Sequence, residues 1–112
     1  MRRDDSISVK HALEAARKAV DFSEGHGRED LDFDEKLALS IVRLLEIIGE
    51  AANSVSEEYR MKHPDVPWKK MVALRNRLIH GYFDVNHDIV WDTVRSDLPP
   101  LIKALEALLP KK

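Results

Sequence analysis

Asp34-Glu35-Lys36-Leu37-Ala38-Leu39-Ser40-Ile41-Val42-Arg43-Leu44-Leu45-Glu46-Ile47-Ile48-Gly49-Glu50-Ala51-Ala52-Asn53-Ser54-Val55-Ser56-Glu57-Glu58 is the stretch that decides the fold class of this chain. Its apolar residues (Leu37, Ile41, Val42, Leu44, Leu45, Ile47, Ile48, Ala51, Ala52, Val55) leave only a narrow polar strip. That strip is Lys36, Ser40, Arg43, Glu46, Glu50, Asn53 and Glu57, spaced three or four apart. A helix that is apolar on most sides has to be covered by neighbours. The spacing therefore predicts a central helix from near Asp34 to about Glu58, packed among others.

Those others are legible on both sides. Upstream, Ser6 is placed to cap a first helix whose Val9, Leu13, Ala16 and Val20 fall three or four apart. Gly25-His26-Gly27 ends it, and an acidic loop with Glu29, Asp30 and Asp32 leads on. Downstream, His63-Pro64-Asp65-Val66-Pro67 breaks the chain, and a third helix is expected from Trp68 to Gly81. A short fourth helix fits Asn86 to Arg95. Asp97 is placed to cap a last one, where Pro99 and Pro100 are tolerated early and Leu101, Ile102, Leu105, Leu108 and Leu109 form the buried stripe. Nothing alternates with the two-residue period of a strand, and there is no repeat or linker. The expectation is one all-α domain over 1–112, a compact up-and-down bundle of about five helices.

Composition narrows the function. The 112 residues are 44% hydrophobic and 34% charged, an ordinary balance for a water-exposed domain with amphipathic helices. A net charge of −2 gives no bulk attraction to nucleic acid, so an RNA site has to be a local patch. The absence of cysteine removes disulfides, thiolate catalysis and Cys-based zinc sites. No apolar run approaches ~18 residues, and Met1-Arg2-Arg3-Asp4-Asp5 lacks a signal-peptide core. A cytoplasmic protein without membrane association is expected.

The segment that carries chemistry is Arg75-Asn76-Arg77-Leu78-Ile79-His80-Gly81-Tyr82. A permanently charged guanidinium and an imidazole that titrates near neutrality suffice to cleave RNA without metal. On a regular helix, Arg75 falls within the apolar stripe of Trp68, Met71, Val72, Leu78 and Ile79. There it needs an anion or the rim of a cleft. His80 lies about 140° away, on the flank of Asn76 one turn earlier. Arg75 and His80 of one chain then converge only if the helix loosens before Gly81, or if two copies pair so that both motifs line one groove. The second arrangement also covers the broad apolar faces. The plain reading is that Arg75 pairs with Glu46 or Glu50 and catalyses nothing.

Leu45-Glu46-Ile47-Ile48-Gly49-Glu50-Ala51-Ala52, Pro67-Trp68, the segment from Arg75 to Phe83, and Trp91 together resemble the HepT-like toxins, small all-α proteins of the HEPN-domain class. The resemblance spans roughly Leu37 to Leu109. The family pattern R-x-x-x-x-H-x-Y falls on Arg75, His80 and Tyr82, with the usual polar residue supplied by Asn76. Ala73 stands where relatives tend to carry glycine. The resemblance implies a metal-independent endoribonuclease, the toxin of a toxin–antitoxin pair, active as a homodimer with the groove at the dimer interface. It also implies a minimal nucleotidyltransferase antitoxin that silences the toxin by adenylylating Tyr82, and no cofactor. Within that chemistry His80 serves as general base, or as acid to the leaving oxygen. Arg75 stabilises the phosphate in the transition state, and Asn76 orients one or the other.

Around this core, Glu50 and Arg43 are candidates for the groove border, or members of a solvated ion-pair strip. Lys69, Lys70 and Arg77 offer a local positive patch. His11, His26, His63 and His87 show no ligand spacing, so no metal site is expected. Trp68 and Trp91 stand on apolar stripes as core residues. Two other readings compete: a non-catalytic helical module that binds a nucleotide or the transferase partner, and a purely structural dimerisation domain.

Overall fold

Asp34 opens the central helix as its spacing suggests, its carboxylate accepting the Leu37 N–H at 3.1 Å. The computed structural model describes residues 3–78 and 84–110. Among them the helices are α1 (Arg3–Ser23), α2 (Asp30–Phe33), α3 (Glu35–Ser54), α4 (Glu57–Lys62), α5 (Trp68–Val72), α6 (Leu74–Leu78), α7 (His87–Asp92) and α8 (Leu98–Glu106), with a π-helical segment, Thr93–Asp97, joining the last two. No strand occurs among the described residues. The fold is an all-α bundle.

The core is one contiguous cluster centred on α3. Ile41, Leu45, Ile48 and Ala52 are fully buried there, against Val9, Ala16 and Ala19 of α1 and Leu78, Val90, Val94 and Leu105. α1 makes the most extensive contact with α3 and also packs on α8, while α5 and α6 lie against α3. α3 is covered less fully than its composition predicts. Leu39 is 63% exposed, and Val42, Leu44 and Ile47 are only half-buried.

Several boundaries differ from the sequence reading, each for a local reason. Ser6 does not cap the first helix, which already runs from Arg3 and places Ser6 inside it. The helix ends at Ser23, where Gly25 adopts φ 79°, a left-handed turn that only glycine enters without strain. α3 stops at Ser54 instead of continuing to Glu58: Val55 is extended, and the Ser56 hydroxyl starts α4 by accepting the Tyr59 N–H at 3.2 Å. Asp5, 2% exposed on α1, accepts the Ser56 N–H and Oγ–H, each at 2.8 Å, and so pins this corner. Burial pushes the Tyr59 hydroxyl pKa up, and Asp5 adds to it. Arg60 reaches back to the last carbonyls of α3, donating to the oxygens of Ala52 (2.9 Å), Asn53 (3.1 Å) and Val55 (3.1 Å).

The helix expected from Trp68 to Gly81 is interrupted. Ala73, at φ −81° and ψ −3°, separates α5 from α6. At the other end, Asp97 makes no side-chain cap; helix runs continuously from α7 through the π-helical turn into α8. Pro99 and Pro100 lack N–H groups, and their rings crowd the carbonyls four residues back, so the turn widens. Leu98 N–H accordingly donates to Thr93 O, five residues earlier.

Candidate functional site

Arg75 and Asn76 lie on α6, whose position is set by what lies beneath it. Met71, Leu74 and Leu78 are buried at 2%, 4% and 0% exposure and hold α5–α6 on the core. The closest approach falls at Gly49 of α3, where a Cβ would stand 3.0 Å from Met71 O and 3.7 Å from Val72 O. A side chain there would push on backbone, so glycine is what allows α5 to seat.

The break at Ala73 corrects the placement of Arg75. On an unbroken helix it would share the buried stripe. Here Leu74 and Leu78 take the core and Arg75 is exposed, together with Asn76 and Arg77. The arginine therefore carries no burial cost. It also carries no counter-ion: among the described residues no carboxylate pairs with it, and Glu46 and Glu50 are engaged by Arg43 at 3.6 and 3.4 Å. Arg43 and Glu50 thus pair with each other, and neither contacts Arg75 or Asn76.

A comparison of arginines sharpens the point. Arg17 pairs with Glu106, Arg28 with Asp32 and Asp88, Arg43 with Glu46 and Glu50, and Arg95 with Glu24, while Arg60 caps α3. Arg75 and Arg77 have no such partner among the described residues, and neither do the exposed Lys69 and Lys70. Four cations without an ion-pair partner thus fall on two short helices, a local concentration of positive charge that a net charge of −2 conceals.

His80 and Tyr82 lie outside the described residues. The chain on either side of them is tied together, since Asn86 N–H donates to Leu78 O at 2.7 Å. Asn86 then caps α7 by accepting the Ile89 N–H at 3.1 Å. A polar network that sequence spacing does not reveal anchors the start of α7. His87 Nδ1 lies 2.9 Å from Asp32 of α2, and Arg28 bridges Asp32 (3.0 Å) and Asp88. The hydrogen bond to His87, followed by that to Arg28, holds the Asp32 carboxyl below its ordinary pKa. Its members are 55 and 60 residues apart, so only the folded chain brings them together.

The remaining candidates sit as plain structure. Trp68 is buried and donates from Nε1 to His63 O at 2.9 Å; Trp91 is partly buried, with the Arg95 guanidinium 6.0 Å from its ring centre. His26 bonds Asp30 at 3.0 Å, and the His63 ring lies 4.3 Å from that of Tyr59. No cluster of three metal-binding side chains occurs among the described residues, and no helix among them is long and apolar enough to cross a membrane.

Fold and site define a class: an all-α protein displaying, among the described residues, a short helix whose cations have no carboxylate partner. The sequence model of the family described as "Ribonuclease HepT-like" matches residues 12–108. Among relatives, "Probable ribonuclease HepT" of Thermococcus cleftensis is 37% identical over 108 residues, covering 96% of this chain and 98% of its own. "Putative RNase TTE0752" of Caldanaerobacter subterraneus subsp. tengcongensis is 38% identical over 104 residues, covering 93% of each. No solved structure matches the chain significantly. The chain belongs to the HepT-like ribonuclease family.

Proposed function

We propose that this chain is the toxin of a toxin–antitoxin pair, a metal-independent endoribonuclease that works as a homodimer and is silenced by adenylylation of Tyr82. The observation that carries the reading is Arg75: exposed, free of any carboxylate among the described residues, and flanked by Asn76. An arginine without a counter-ion is available to a phosphate, which its planar fork binds through two parallel hydrogen bonds.

In the proposed reaction the ribose 2′-oxygen attacks the adjacent phosphorus. One group accepts the 2′-OH proton, the P–O2′ bond forms, the P–O5′ bond breaks, and O5′ leaves with a proton. The products are a 2′,3′-cyclic phosphate and a 5′-hydroxyl. His80 takes one of the two proton-transfer roles, worth roughly 10²–10⁴ in rate. Arg75 stabilises the additional charge on the phosphorane-like oxygens, and Asn76 orients the phosphate or the imidazole. A second copy supplies the other half of the groove. In support, α3 leaves Leu39 exposed and Ile47 half-buried, apolar surface that a second copy would cover. Transfer of AMP from ATP to the Tyr82 oxygen by a minimal nucleotidyltransferase, with loss of pyrophosphate, would place bulk and negative charge two residues from His80.

The test is incubation of antitoxin-free protein, its Tyr82 verified as unmodified by mass, with total RNA in EDTA beside His80→Ala. Cleavage by the wild type alone, leaving cyclic-phosphate ends, is expected. RNA intact in both lanes, with RNA still bound by the wild type, would favour the non-catalytic binding module.

A further inference from the structure

A second feature of the motif helix lies on a side that Arg75 does not line. Between α5–α6 and the π-helical turn with α8 opens a cavity of about 320 Å³, at the lower end of the ~300–1,000 Å³ of small-molecule sites. Its floor is apolar: Met71, Leu74, Leu98 and Leu101 line it, all nearly fully buried. Its rim carries four exposed charges, Lys70 and Arg77 from the motif helices, Asp65 from the preceding loop and Asp97 from the end of the π-helical turn. None of the four pairs with another within the distance of an ion pair, although they line one opening. Asp97 is available because the helix runs through it and needs no cap.

We propose that this cavity is a base-binding subsite for the RNA strand, which makes the enzyme selective for a nucleotide bearing an amino group. The assignment rests on the ribonuclease reading. Sequence-specific recognition of single-stranded RNA splays bases out, packs their faces on aromatic rings or Arg guanidinium planes and reads their edges by hydrogen bonds; here Arg77 and the apolar floor of the slot offer the packing surface. Asp97 and Asp65 only accept hydrogen bonds when ionised, so they favour the amino groups of cytosine, adenine or guanine over uracil, whose single N3–H donor stands between two carbonyls that repel a carboxylate. Lys70 and Arg77 receive the attached phosphate. Arg77 stands two residues from Arg75, about 200° around a helix ~10–12 Å across, so a strand held at Arg75 reaches the slot within a few nucleotides.

Two measurements decide it. In the first, CMP, UMP and ribose 5-phosphate are titrated into the ¹⁵N-labelled full-length chain. CMP is expected to move the amide resonances of Met71, Thr93 and Leu101, UMP to bind about tenfold more weakly, and ribose 5-phosphate, held at the Lys70 and Arg77 rim alone, to leave Thr93 and Leu101 in place. Ala104→Trp, which fills the cavity, should abolish the CMP response. Should that variant fail to fold, Asp97→Asn at the exposed rim replaces it and should raise UMP binding towards that of CMP. Equal response to ribose 5-phosphate, no response to any probe, or resonances that move with protein concentration alone, as expected if a second copy covers the cavity, would each overturn the assignment. In the second, a randomised RNA is cleaved and the ends sequenced: the wild type should favour an amino-bearing base at one position near the cut, and Asp97→Asn should relax that preference about tenfold. Uniform bases around the cut would overturn the subsite. CMP binding in the cavity with no RNA cleaved would overturn the ribonuclease reading and leave the base pocket standing.

Discussion

Arg75 shows how the side of a helix on which a residue falls sets its energetics. Within an apolar stripe, a guanidinium would demand an ion pair, and its replacement by leucine would stabilise the protein. Exposed and unpaired as it is, it has little part in stability. Arg75→Leu should therefore change the unfolding free energy by no more than about 0.5 kcal/mol while RNA affinity falls; denaturant melts and a filter-binding assay measure the two. A loss of several kcal/mol would mean that the side chain is buried after all. Asp5 behaves in the opposite way. It is 2% exposed and takes both polar hydrogens of Ser56. Asp5→Ala strands a backbone N–H and should cost about 1–3 kcal/mol in a urea melt without altering RNA binding. Arg75 was legible as a candidate from its residue type and its distance from His80. Asp5 was not legible, because nothing local announces a partner 51 residues away.

Between α3 and α5 the decisive contact is an absence of side chain. Gly49 lets Met71 O come within 3.0 Å of where a Cβ would be, and α6 with Arg75 follows directly from α5. Gly49→Ala gains helix propensity of about 1 kcal/mol, yet it forces backbone apart in a packed region, an overpacking cost of roughly 1–3 kcal/mol. A net drop in melting temperature is expected, accompanied by weaker RNA binding because the motif helix moves. An unchanged melt with unchanged binding would show that α5 yields freely. The π-helical turn has a similar logic of accommodation: Pro99 and Pro100 stay in a continuous helix because Leu98 reaches back five residues. Sequence spacing reads those prolines as a helix start, since proline is most at home there. It cannot show that the buried Val94, Leu98 and Leu101 carry the same rod across both sides.

The whole molecule is tied across its length by polar links that the core does not provide. Asp32 joins the loop after α1 to the start of α7 through Arg28 and His87, and Asp30 closes that loop on Gly27 and His26. Both carboxyls are held below their ordinary value of 3.8, Asp32 chiefly by His87 and Asp30 chiefly by the Gly27 N–H. A carboxyl with a depressed folded-state pKa favours folding above the unfolded value, and that contribution disappears as pH falls through the folded value. The melting-temperature gap between wild type and Asp32→Asn should accordingly be full well above pH 3.8 and should close as pH falls below it. A gap that persists at the acid end would mean that the link acts through geometry and not through charge.

By itself the sequence determined the helical class, the burial of Ile41, Leu45 and Ile48, the concentration of cations between Lys69 and Arg77 and the family, because all of these are matters of local periodicity, residue type and order. Tertiary structure alone decided that Ala73 breaks the motif helix, that Arg75 faces solvent, that Glu50 answers Arg43, and that Asp97 borders a cavity instead of capping a helix. The physical reason is the same in each case. A 3.6-residue period says which residues share a face, but the close seat at Gly49 and the competition of buried leucines for the core settle which face turns inward.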